Sequence, residues 1–207
     1  MPPLSRSARD TRPDPADARF VLYVEGPRDR DLLRVWAQRH AAPLARVVHS
    51  AVILGGRQPQ RAVEHFRGIR AGEPDAVGLC VLDRDHESGD ASEIDEPGLE
   101  FFVWSRRHIE SYLLIPDAIR RTLSDQNEKF RMDRFFREQL PEPGDEAAYR
   151  KLDAKRILGR EGALSRAVGR PIPVSPVARA IRLDELHPDV IELFGRIRRG
   201  MERVEAG

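Results

Sequence analysis

Phe20-Val21-Leu22-Tyr23-Val24-Glu25-Gly26-Pro27-Arg28-Asp29 is a short apolar run that ends in Glu-Gly and reaches an aspartate four residues after the glutamate. A run of this length and composition predicts a buried strand, and Gly26 permits a sharp turn directly after Glu25. Ala76-Val77-Gly78-Leu79-Cys80-Val81-Leu82-Asp83-Arg84-Asp85 repeats the design, with Asp-x-Asp at its end. Ligands of open α/β sheets bind beyond the carboxyl ends of the strands. Glu25, Asp83 and Asp85 are therefore expected to gather at one edge, joined by Asp29 from the first turn of the next helix, where the helix dipole favours a carboxylate. Clustered carboxylates repel one another. A hard divalent cation relieves that repulsion, and a set of oxygen donors without accompanying imidazole or thiolate favours Mg²⁺ or Mn²⁺ over zinc.

The pattern around these two runs predicts an α/β domain. Leu32, Leu33 and Trp36 recur at helical spacing after the first strand, and Val47 to Leu54 reads as a second strand ending at Gly55-Gly56. Pro59 opens a helix carrying Val63, Phe66 and Ile69, Val77 to Leu82 is the third strand, and Leu99 to Trp104 is the fourth, after an acidic loop. Strands alternating with helices imply a largely parallel four-stranded sheet flanked by helices. From Arg107 onward the periodicity is helical, over Ile109 to Leu114, Ala118 to Leu123, Phe130 to Leu140, Glu146 to Leu158 and Asp184 to Val204, interrupted by a Pro-rich segment at Arg170 to Pro176. The chain thus divides into a disordered Pro/Asp/Arg leader (1–17), an α/β domain (18–116) and a C-terminal helical extension (117–207).

Composition narrows the class. A chain of 207 residues buries a core without disulfides, and its one cysteine, Cys80, lies inside the third strand. No apolar stretch approaches the roughly 20 residues of a membrane span, and the proline-rich start lacks the apolar core of a signal peptide; the expectation is a soluble, cytoplasmic protein. Net charge is +1, so any surface for nucleic acid must be local. Of 35 Lys and Arg residues only Lys129, Lys151 and Lys155 are lysine, the other 32 being arginine. A lysine kept in such a background suits a place where a compact point charge is needed.

Glu25-Gly26-x-x-Asp29 together with Asp83-x-Asp85 resembles the TOPRIM domain of topoisomerases, bacterial primases and overcoming-lysogenization-defect (OLD) nucleases, and Gly55-Gly56 matches the family's glycine turn. Arg107-His108-Ile109-Glu110-Ser111-Tyr112-Leu113-Leu114 is similar to the box after the fourth strand in OLD-type nucleases and in short stand-alone TOPRIM-like proteins, some encoded in phage-defence loci. The resemblance spans about Arg19 to Pro116. Beyond it, Tyr149 to Leu158 looks like the family's later lysine-bearing helix, with Lys155 the better-placed match. No Gly-x-x-x-x-Gly-Lys-Ser/Thr phosphate loop is present, so the resemblance implies that nucleotide-driven control comes from a separate ATPase partner.

What the resemblance implies is metal-dependent cleavage of phosphodiester bonds in DNA or RNA. Glu25, Asp29, Asp83, Asp85 and Glu110 would hold one or two Mg²⁺ or Mn²⁺ ions, which in two-ion sites lie about 3.5–4 Å apart. Glu25 would serve as general base and Lys155 would stabilise the phosphate. Arg28, Arg106 and Arg107 would grip the nucleic-acid backbone. Glu110 fits a capping or surface salt-bridge role as well as it fits a metal. His108 and His86 read more readily as surface residues than as ligands, and Tyr112, Leu113 and Leu114 as core. A non-catalytic module sensing nucleic acid or a phage protein, and a nucleotidyl-transfer or topoisomerase-type activity, remain as alternatives. The apolar faces of the later helices suggest a surface for self-association or for the partner, unless they cover the protein's own sheet.

Overall fold

The computed structural model describes residues 19–84 and 94–206. Four strands, β1 (Phe20–Val24), β2 (Val52–Ile53), β3 (Val77–Leu82) and β4 (Leu99–Val103), form one all-parallel sheet in the order β2-β1-β3-β4. The chain steps from β1 to one neighbour and returns past it to the other. The gap between the ends of β1 and β3 is therefore the topological switch point, where open sheets leave room for a ligand. The register is in phase there: Val24 pairs with Val81, so Glu25 and the end of β3 arrive side by side.

Side-chain alternation explains the two faces of the sheet. Leu22, Val24, Leu79 and Val81 point to a large core shared with α1 (Pro27–His40), α2 (Ala42–His49) and the C-terminal helices. Tyr23, Cys80 and Leu82 point the other way, onto Val63 and Phe66 of α3 (Pro59–Gly72). The predicted second strand is corrected: Val47 and Val48 belong to α2, and only Val52–Ile53 is extended. Leu44, Val47 and Val48 recur at the three- and four-residue spacing of a buried helical stripe after a proline in its first turn, and this outweighs the β-branched composition.

After β4 the chain makes a 3₁₀ turn (Ile109–Leu113), then α4 (Pro116–Arg121), α5 (Gln126–Gln139), α6 (Glu146–Tyr149), α7 (Ala154–Ile157), α8 (Ala163–Val168), α9 (Val174–Ala180) and α10 (Pro188–Glu205). The single helix expected over Glu146 to Leu158 is two short ones. Asp153 accepts the backbone N–H groups of Lys155 and Arg156, starting a new helix where the first has stopped. Part of the Pro-rich segment is likewise ordered as the start of α9.

Val190, Leu193, Phe194, Ile197 and Val204 of α10 lie in the same core as Phe20, Leu22 and Leu79. The apolar stripe of α10 is thus turned inward and, together with α1 and α2, covers one face of the sheet, whereas Phe130 of α5 and Ile191 of α10 stay exposed. One core runs through both sides of the boundary placed at 116. Among the described residues no helix is long and apolar enough to cross a membrane.

Gly200 is where α10 crosses β1: a Cβ there would overlap the ring of Phe20, 2.7 Å from Cδ2. Gly195, one helix face away, would place its Cβ 3.3 Å from the end of the flexible Arg199 side chain. Gly200→Ala is expected to cost about 1–3 kcal/mol by overpacking, whereas Gly195→Ala gains about 0.5–1 kcal/mol in helix propensity. Urea unfolding of the two variants checks this opposition of sign; equal effects would contradict the close crossing.

Candidate active site

Glu25 leaves the end of β1, and its carbonyl is wrapped by the glycine turn after β2. Gly55 and Gly56 both donate their N–H groups to it at 2.9 Å, with φ of 83° and 122°, a conformation that favours glycine. This turn delivers Arg57, whose side chain is 9 % exposed, to the strand ends. Its guanidinium donates to the carbonyl oxygen of Asp83 and lies 4.0 Å from Glu25 Oε1. The same Glu25 oxygen accepts the backbone N–H of Asp83 at 2.8 Å. Glu25 is therefore locked to the end of β3 from two directions, a role for Arg57 that the Gly-Gly turn could have signalled.

Asp83 is buried and carries two contacts on Oδ2, Lys155 Nζ at 3.3 Å and His108 Nδ1 at 3.3 Å. Its Oδ1 is buried without a hydrogen-bond partner, and so is Oε2 of Glu110. Glu110 is 3 % exposed at the start of the 3₁₀ turn, with Oε1 3.4 Å from Arg28 Nη1. Asp29, in the first turn of α1, completes the group. Burial first, then the charges of Asp83, Glu110 and Glu25, push its carboxyl from 3.8 up to about 7. Burial opposes the charge on Lys155, but Glu110, Asp83 and Asp29 outweigh it and hold its pKa above the ordinary value.

The structure thus brings together Glu25, Asp29, Asp83, Glu110 and Lys155, with Arg28 and Arg107 at the rim, 60 % and 37 % exposed. Asp85 and His86 lie outside the described residues. Two expectations are corrected. Arg106 is buried, bonded to both oxygens of Glu146 at 2.5 and 3.1 Å and to the carbonyl of Ser111 at 3.0 Å, and stacked 4.5 Å over the Tyr149 ring. Its guanidinium is consumed in tying the 3₁₀ turn to α6 and cannot grip a phosphate. His108 is buried too, with Nδ1 toward Asp83 and Nε2 3.7 Å from Asp153, because Asp153 caps the helix that carries Lys155.

Among the described residues no group of three or more His, Cys, Asp or Glu side chains is arranged so that it could hold a metal ion. The chemistry of the group nevertheless suits a hard cation: all donors are carboxylate oxygens, two of them are buried and unpartnered, and burial, with like-charge crowding added to it, pushes the Asp29 carboxyl well above its usual range. Comparison of the chain with family models, with curated proteins and with solved structures returned no match.

The crowding at Asp29 makes stability pH-dependent. In the unfolded chain this carboxyl ionises near 3.8 and in the folded protein near 7, so folded stability is fully present below the lower value and is lost as pH rises toward the higher one. An asparagine in place of Asp29 would not titrate. In EDTA, Asp29→Asn is therefore expected to melt above the parent at pH 8, with the advantage shrinking toward pH 5, by at most about 1.4 kcal/mol per pH unit. A difference in melting temperature that does not vary with pH would contradict the crowding.

Proposed function

We propose that the chain is a divalent-metal-dependent nuclease that hydrolyses phosphodiester bonds in DNA or RNA. The observation that carries this reading is the gathering of Glu25, Asp29, Asp83 and Glu110 at the switch point of a parallel sheet, with Lys155 facing Asp83, Glu110 and Asp29. The TOPRIM-like order of these residues, with the OLD-type box around Glu110, supports the same class. Glu25, Asp29, Asp83 and Glu110 would hold Mg²⁺ or Mn²⁺, with Asp85 as a further oxygen donor. A bound divalent cation supplies Lewis acidity, which makes water a competent nucleophile near neutral pH and offsets charge on the phosphate.

The chain's own residues do the rest. Lys155 stays an ammonium at neutral pH and is placed to neutralise a non-bridging phosphate oxygen as charge builds in the transition state. Glu25, immobilised by Asp83 N–H and Arg57, is placed to accept the proton that the attacking water releases. Arg28, largely open to solvent and tethered to Glu110, and Arg107, about one-third exposed and tethered to Asp153, would contact phosphates flanking the scissile bond. His108 holds Asp83 and Asp153 in relation to each other and so aligns the acid with the helix that bears Lys155.

Two observations favour a second reading, a module that binds nucleic acid without cutting it: Lys155 already neutralises Asp83, and among the described residues no group of three or more acids, His or Cys is arranged to hold a metal. Incubation with DNA and RNA oligonucleotides separates the two. Nuclease action predicts cleavage with Mn²⁺ that EDTA stops, and a loss of about 10²–10³ in rate for Lys155→Ala and at least as much for Asp83→Ala, both retaining cooperative thermal unfolding. Intact substrate with every divalent cation tried, while the oligonucleotide stays bound, would establish the non-cutting module instead.

A further inference from the structure

α5 carries the most exposed large hydrophobic side chain among those described, Phe130 at 65 %. Its charged neighbours are unequally engaged. Every acid between Glu128 and Glu138 has an arginine: Glu128 pairs with Arg170 at 2.9 Å, Asp133 with Arg120 at 2.5 Å and Glu138 with Arg134 at 2.8 Å. Lys129, Arg131 and Arg137 have no ion pair among the described residues. The uncommitted charge on this helix is therefore all positive, and it surrounds an aromatic ring held in water, which costs free energy without a ligand. Beside it, a cavity of about 290 Å³ between α5 and α8 is lined by Arg131, by the Arg134–Glu138 pair, and by Phe135 and Ala167.

An exposed aromatic among unpaired cations matches one class of polyanion. Apart from Phe130 the large apolar side chains of α5, Met132, Phe135 and Phe136, are buried, so the helix has no apolar face to lay into a bilayer, and an acidic peptide would engage the charges alone. A duplex hides the faces of its bases, whereas a single strand presents them for stacking while its phosphates meet arginines. α8 packs on α5 and also on α7, the helix that carries Lys155. A strand leaving the carboxylate site past Lys155 therefore has α8 and then α5 as its next support.

The geometry points to the outer face of α5 as a second binding site for single-stranded nucleic acid, with Phe130 stacking on an unpaired base and the unpaired Arg131 taking a phosphate beside the cavity. This assignment deepens the nuclease reading and rests on it for the nature of the substrate, but it is read out without metal or turnover. Fluorescence anisotropy with labelled single-stranded DNA and RNA in EDTA gives the affinity across a salt series. Phe130→Ala is expected to lose about tenfold in affinity with the salt slope unchanged. Arg131→Ala should lower that slope by about 0.7, one phosphate contact on a single strand. Phe130→Trp should bind like the parent, its indole fluorescence quenched on binding.

Affinities and slopes of both alanine variants indistinguishable from the parent, or an indole that does not respond to the strand, would overturn the assignment. So would a dimer that Phe130→Ala dissolves, since a second copy would then own this face. Failure to cleave with Mn²⁺ alongside Phe130-dependent binding would remove the nuclease reading and leave the α5 site standing; cleavage with binding indifferent to α5 would do the reverse.

Discussion

Four carboxylates meet at the end of a parallel sheet, and they can stay there only if positive charge is brought to them. The pairing of β1 with β3 sets Glu25 beside Asp83, the first turn of α1 adds Asp29, and the turn after β4 adds Glu110. The penalty is visible at Asp29, whose carboxyl is pushed up to about 7. Compensation comes from three directions: Arg57 from the glycine turn, Arg28 from α1 and Lys155 from α7. Burial strengthens the Arg57 interaction most, since water no longer screens it as it does at Arg28, which is largely exposed, and at the half-exposed Lys155.

Delivering Lys155 is what the C-terminal half of the chain is arranged to do. α7 has only four residues and is started by the Asp153 side chain, which also faces His108 and Arg107. Behind the site a second polar network fixes the surrounding elements. Asp189, at the start of α10, accepts hydrogen bonds from Ser105 and from the hydroxyl of Tyr112, and His187 faces Glu146, the partner of Arg106. Arg106 is clamped between the rings of Tyr112 and Tyr149. The end of β4, the 3₁₀ turn, α6 and α10 are thus bonded to one another. Such an arrangement positions the carboxylates more rigidly than loops would.

Much of this was legible from residues 20 to 29 and 76 to 83, because an apolar run that stops at an acid specifies both a strand and where its carboxyl edge lies. The α/β class and the parallel sheet followed from strands alternating with helices, and three of the gathered site residues, Glu25, Asp29 and Asp83, from that edge; Glu110 and Lys155 came from resemblance to the box after the fourth strand and to a lysine-bearing helix. The misreadings have physical causes. Val47 and Val48 are β-branched yet sit on a helical stripe, so composition and periodicity disagreed and periodicity won. Arg106 and Arg107 are adjacent and chemically identical, and only tertiary packing turns one to Glu146 and the other to the rim. His108 owes its role to partners far away in sequence, which no local pattern announces, and for Arg57 the one local signal is the glycine turn directly before it.

The central claim is that the strand-end acids form one divalent-cation site. Its most direct measurement is anomalous scattering from a crystal soaked in Mn²⁺. The account predicts a manganese peak coordinated by carboxylate oxygens of Asp83 and Glu25, with Asp29 or Glu110 completing the set and Lys155 Nζ displaced from Asp83. Manganese bound only elsewhere on the protein, with the Lys155–Asp83 contact intact at saturating metal, would contradict it.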